Sequence, residues 1–460
     1  MLPAPGPAYR FTAEIIGRQT VALYKRDFRC RSFAFALDRT MAFAELERSE
    51  VLVCTSAPQI GAHREGSCRS VPEPQRSTLR RILLWLISIL ILFGVIESFS
   101  AIFLKFVLAS TAHFLVWNPD IDASKVWAAA GGNWDDELGW PSPSDAVAPP
   151  RDRTGAKYNP DFSQSDYPCA SAYGASFVWG EDVPLADGWV EQLSRKLGCR
   201  VANYGVSGYG TDQAYVRFQR IRQDQAPVTL LGFSPEHIML DVNQYRGFLG
   251  YGPSPTGLKG RFILDGEGRL EWIHRPRINE KGFVEFLRDP ANLLPHEYLL
   301  PDTPDGPVTL RFPYTLTVAR VVLMPRLRVR FTGRPSWADF YRTDHPSGAL
   351  ALTAAIVEAF VREAEHRGKR ALIVVLPGAS SFRARAEFGQ PEYAPLIAAL
   401  AAKNIDVFDP SPALLAAVGQ RSNCELYTDP AGCAGHFGID GGRIVADVVM
   451  AELRQRELVK

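Results

Sequence analysis

Four short turns in this sequence carry residue types that could act together on an acyl group. The first, Tyr173-Gly174-Ala175-Ser176-Phe177-Val178-Trp179-Gly180, sets a serine between a short apolar run and a polar break. A serine so placed can present its Oγ at a sheet edge. Its own N–H then starts a helix and can donate to a developing oxyanion. The second, Asn203-Tyr204-Gly205-Val206-Ser207-Gly208-Tyr209-Gly210-Thr211-Asp212-Gln213, is glycine-rich, and glycine lets backbone N–H groups come close to a ligand. Its spacing is GxxGxG, not the GxGxxG of a dinucleotide turn. The third, Asp241-Val242-Asn243-Gln244, offers an amide N–H to the same oxyanion. The fourth, Gly435-His436-Phe437-Gly438-Ile439-Asp440-Gly441-Gly442, offers an imidazole as general base in a chain with only 8 histidines.

The elements around these turns alternate. Apolar runs predict strands at 168–173, 200–204, 237–242, 371–376 and 405–408. Helical spacing predicts helices at 187–197, 211–223, 349–367, 393–403 and 441–456. Alternating strands and helices imply a parallel sheet covered on both faces, with reactive groups gathered at the carboxyl ends of its strands. Residues 250–346 interrupt the pattern as an insertion. It opens with a hairpin signal at 262–273 that turns at Asp265-Gly266. Residues 105–166 are rich in Trp, Asp, Pro and Gly and read as an irregular lead into the domain.

In order, GASFVWGEDV, NYGVSGYGTDQA, IMLDVNQ and GHFGIDGGRIVADVV resemble the blocks of the SGNH/GDSL hydrolase superfamily. Those blocks carry Ser, Gly, Asn and His. The resemblance covers roughly 167–453, less the insertion. It implies a flavodoxin-like three-layer α/β/α sandwich, the SGNH hydrolase fold. It implies Ser176 as nucleophile and an oxyanion hole made by the Ser176 N–H, the Gly208 N–H and the Asn243 side chain. His436 would take the serine proton and return it to the leaving alkoxide.

The sequence departs from the family pattern in three places. Ala175 stands where the family has Asp before the serine, and Gln244 where an Asp often follows the Asn. Cys433 occupies the position of the acid that orients the histidine. Asp429 is the nearest carboxylate upstream and is the expected orienter, with a backbone carbonyl as the alternative; Asp440 lies beyond the histidine. Cys424 and Cys433 bracket this loop and form either a disulfide or two thiols. Cys169 and Cys199 read as buried thiols.

Residues 82–104, ILLWLISILILFGVIESFSAIFL, form the most apolar stretch. At about 1.5 Å per residue they make roughly 34 Å of helix, enough to cross a bilayer core. Arg80 and Arg81 precede the span, and residues 1–81 hold 13 basic against 8 acidic residues. The positive-inside rule then places this tail, which reads as poorly ordered, in the cytoplasm and the domain at 167–457 outside the cytoplasmic membrane. Glu97, the one acid in the span, is expected at the outer interface.

With 51 basic and 50 acidic residues, the chain offers no overall electrostatic case for nucleic acid. Its His and Cys are not clustered for a metal, and acyl-serine chemistry needs no cofactor. The expected activity is hydrolysis of an acyl ester, acetyl by preference, on a glycan or small molecule. The alternatives are an O-acyltransferase with the same Ser-His pair and a catalytically silent glycan-binding module.

Overall fold

A computed structural model describes residues 76–109, 115–131, 134–140, 151–250 and 252–459. The tail, with Cys30, Cys54 and Cys68, lies outside the described residues save for its last few. Ile91–Lys460 is one compact unit, and the architecture below is that of this unit.

Its centre is a sheet of β1 (Ala170–Tyr173), β2 (Val201–Asn203), β3 (Val228–Phe233), β4 (Arg370–Val375) and β5 (Val407–Phe408). They hydrogen-bond in the order β2-β1-β3-β4-β5, every neighbour parallel. This is the flavodoxin-type order, whose switch point lies between β1 and β3. Successive residues of each strand go to opposite sides. Tyr173, Leu231, Phe233, Ile373 and Val375 pack with helices Thr211–Arg220, Ala349–His366 and Ala394–Ala401. Ala172, Leu230, Leu372 and Val374 pack with helices Trp189–Leu197 and Ile439–Gln455. Burial on both faces explains why these strands read as continuous apolar runs without polar alternation.

One expected strand is misplaced. Residues 237–242 are not a strand: His237–Asp241 is a short helix, and the third strand is Val228–Phe233. Ser234-Pro235 ends the ladder, because proline has no N–H to donate. Ile238 and Leu240 are buried on a helical turn instead. Helices Ala379–Phe388 and Ser411–Val418 have no counterpart in the sequence reading. The hairpin at 262–273 is present as Arg261–Leu264 paired with Leu270–Ile273.

The lead at 105–166 is more than a spacer. The Trp117 ring meets Tyr245 and Phe248 edge-on at 6.0 and 5.1 Å. Leu138, Trp140 and Ala156 lie in the same core as one face of the sheet. Arg76–Ala109 is one helix, and Thr78–Phe106 within it is long and apolar enough to cross a membrane.

Candidate active site

Ser176 begins the helix Ser176–Trp179 directly after β1, and its N–H therefore has no acceptor within that helix. The helix is only one turn long and is held from its far end. Asn203, the last residue of β2, donates from Nδ2 to the Val178 carbonyl at 2.8 Å and to Glu191 Oε1 at 2.9 Å. The buried Lys157 ammonium donates to the Trp179 carbonyl at 2.6 Å and stands 3.5 Å from Glu191. A cation at a helix C-terminus is favourable, and here it fixes the turn that presents the serine. Gly205 makes the approach possible: a Cβ there would lie 2.6 Å from the Trp179 nitrogen.

His436 sits on Ala434–Phe437, paired antiparallel with Tyr427–Asp429. The ring of Phe177, next to the serine, meets the imidazole at 4.9 Å between centroids. Asp182 Oδ2 lies 2.7 Å from His436 Nδ1. A carboxylate accepts, so Nδ1 is the donor in this contact, which leaves Nε2 as the ring nitrogen of a neutral imidazole that could act as a base. His237, another imidazole near the strand ends, is pushed down to about 3 by burial and stays neutral inside the protein.

Two residues expected in the site do not take their expected places. The Asp429 carboxylate bonds its own hairpin, with Oδ1 accepting from the Gly432 N–H at 2.9 Å. A short polar turn satisfies its backbone in this way. The position beside His436 belongs to Asp182. Asn243 is fully buried, and its amide donates to the Tyr245 carbonyl at 2.9 Å and to Glu297 at 3.1 Å. Glu297, from the insertion, also accepts from the Gln244, Tyr245 and Leu299 N–H groups. The amide donors of Asn243 are therefore spent on holding its own loop.

The site also contains residues that sequence reasoning did not single out. Gly208 has φ +74, and a Cβ there would lie 2.9 Å from both Arg246 Nη1 and Trp140 Nε1. The Arg246 guanidinium stacks on the Trp140 ring at 4.2 Å, so a positive charge stands against the glycine turn. Asp182 lay in view inside the first block, six residues after the serine. Its signal was a second acidic residue in a turn, which spacing alone does not connect to a distant histidine.

Beneath the second and third turns lies a buried polar cluster. Lys259 pairs with Asp212, both with fully buried side chains. Asp241 Oδ1 accepts the Asp212 N–H at 3.2 Å, and its Oδ2 accepts from Thr353 at 2.8 Å. Burial, and then the Asp212 charge, push Asp241 up to about 7. Its folded pKa exceeds the unfolded one near 4, so the native state holds the extra proton between them. Stability then falls as pH rises from about 4 to 7, by at most about 1.4 kcal/mol per pH unit for one proton. Asp241→Asn is expected to flatten the fall in unfolding temperature between pH 5 and pH 8. Parallel pH curves for the two proteins would show that Asp241 does not carry it.

Both pairs of outer cysteines are joined. Cys424–Cys433 closes the loop before His436, and Cys169–Cys199 ties the entries to β1 and β2, where two thiols were expected. Among the described residues no group of three or more His, Cys, Asp or Glu could hold a metal ion. A cavity of about 510 Å³ opens beyond β3 and β4, with Arg326, Arg334 and Arg383 in its wall. Neither Ser176 nor His436 lines it.

No family model and no curated protein matches the chain. Among solved structures, it is similar to a G-D-S-L family protein from Desulfitobacterium hafniense DCB-2, provisionally termed lipolytic. The identity is 12%, the TM-score 0.30, and the match covers 61% of this chain and 97% of that one. A likeness of that extent is too slight to argue from.

Proposed function

We propose that this chain is a membrane-anchored serine esterase of the SGNH/GDSL type, with its catalytic domain outside the cytoplasm. The observation that carries this is the 2.7 Å contact of Asp182 with His436 Nδ1, on a loop packed against the serine turn. In this reading Nε2 of His436 takes the Ser176 proton as Oγ attacks the ester carbonyl. The Ser176 and Gly208 N–H groups receive the oxyanion. Arg246 adds charge where the family pattern has the Asn side chain. The imidazolium then protonates the leaving alkoxide, leaving an acyl-serine. Water, deprotonated by the same nitrogen, releases the acid and restores the serine. An acetyl ester of a glycan or small molecule is the proposed substrate. Two disulfides support an oxidising compartment for the domain.

The test is a fluorophosphonate probe on the full chain in detergent. Wild type is expected to label at a single serine and to cleave an aryl acetate, with both lost in Ser176→Ala. Equal labelling of the two proteins would remove Ser176 from the chemistry.

A further inference from the structure

The insertion contains a helix, Tyr314–Leu323, that is apolar on nearly every side. Thr317 and Val321 are buried, and Val321 packs in a small core with Leu104, Leu115, Val116, Val308 and Met324. The opposite side carries Leu316, Val322 and Leu323, exposed by 57, 53 and 65%, with Phe312 just before the helix at 63%. Its one charged residue, Arg320, turns to Asp302 at 2.9 Å. A helix apolar all round belongs in a protein core or in lipid, and this one has a core on one side only.

Its start leaves no N–H group of the first turn unpaired. Glu97 accepts the N–H groups of Tyr314 at 2.5 Å and Thr315 at 3.1 Å. The Pro313 carbonyl takes those of Leu316 and Thr317 at 3.1 and 3.4 Å. All four N–H groups of the first turn thus have protein acceptors. Hydrocarbon, unlike water, would offer these groups no acceptor of its own. Glu97 belongs to the long apolar helix, and Phe312 meets Phe93 of that helix edge-on at 6.1 Å. The exposed face therefore adjoins apolar surface of the long helix, where Phe93 and Ile96 are exposed by 44 and 43%. Leu104 is about 10 Å beyond Glu97 along the axis. That is the depth at which amphipathic segments lie in the headgroup and acyl boundary.

We propose that Phe312 and the Tyr314–Leu323 helix lie in the outer leaflet of the membrane as a second, non-spanning contact, with lipid as their occupant. This rests on the reading of residues 82–104 as a membrane span. Glu97 is then neither a stray charge nor an interfacial side chain alone. It closes the open end of a neighbouring helix inside the apolar layer, and it seats the catalytic domain on the membrane surface.

The experiment uses the full chain in phospholipid nanodiscs, with Cys30, Cys54 and Cys68 changed to Ser. An environment-sensitive fluorophore is placed singly at Leu316→Cys, Leu323→Cys or Phe99→Cys, with Arg269→Cys on the hairpin turn as an aqueous reference. Lipids with a doxyl group on the acyl chain quench from inside the bilayer, and iodide quenches from water. Leu316 and Leu323 are expected to follow Phe99, with strong doxyl quenching and iodide quenching several-fold below Arg269. If Phe99 is quenched by doxyl lipid but Leu316 and Leu323 only by iodide, the second contact is wrong while the span stands. Protection of both from either quencher would mean that protein covers the face, which also overturns the proposal. Failure of doxyl quenching at Phe99 removes the span and the inference with it.

Discussion

His436→Ala is expected to lower turnover of a simple aryl acetate by roughly 10⁴–10⁶-fold, as Ser176→Ala does, because nucleophile and base act as one unit. Asp182→Ala should cost less, roughly 10²–10⁴-fold. It removes the group that fixes the imidazole tautomer but leaves the base in place. Asp429→Ala should stay within about twofold of wild type, since its carboxylate serves only the Gly432 N–H. The Asp182 side chain is half exposed, at 49%, so its loss should lower the unfolding temperature only by the small strain of Ala in the left-handed conformation (φ 66) that Asp182 adopts, while activity falls far more. Assaying all four variants together separates the alternatives. Strong loss in Asp429→Ala with near-normal Asp182→Ala would restore Asp429 as orienter. Near-normal His436→Ala would end the acyl-serine reading.

Why Asp182 was missed and Asp429 preferred is a matter of what spacing can report. Sequence distance to His436 favours Asp429, but the hairpin between them turns that carboxylate onto its own backbone. Asp182 reaches the imidazole across the sheet edge, from the block that also supplies the serine. The strand and helix boundaries around Ser176 and Gly208, and the helix that follows His436, are legible because their flanks show their period. The parallel sheet follows from that alternation as well, whereas its strand order is implied only by the family resemblance. Asn243 misled because the apolar residues 237–242 fit a short strand as well as a helical turn, and such runs cannot be told apart by periodicity. Once Pro235 ends β3, Asn243 lies in a loop, where Glu297 of the insertion holds it. In the sequence the insertion reads only as a break in the pattern that opens with a hairpin. Its contributions to the site, Lys259 and Glu297, are isolated charged residues whose burial no local pattern announces.

The largest stability effect is expected at Lys259. Its ammonium and the Asp212 carboxylate are both buried, and the Asp241 carboxylate bonds the Asp212 backbone. Burial already raises Asp212 and Asp241 above the usual carboxylate range. Lys259→Met would leave two carboxylates in a buried site without the cation that accommodates them. Breaking a buried pair in this way costs about 3–5 kcal/mol. The deficit should be smaller at pH 5 than at pH 8, because protonation of Asp212 removes the uncompensated charge and the native state then binds more protons than the unfolded chain. Asp212→Asn with Lys259→Met removes both charges and should recover most of the loss, which also covers the case in which the single variant is too unstable to purify. The loss should reach the chemistry as well: Asp212 lies in the first turn of the helix after the Gly208 turn, and Asp241 precedes the loop that carries Arg246. Thermal unfolding of the three proteins in one detergent at pH 5 and pH 8 decides the matter. A single variant within about 1 kcal/mol of wild type at pH 8 would show that the pair is not needed to hold these loops, because the cost expected of a broken buried pair is several times larger.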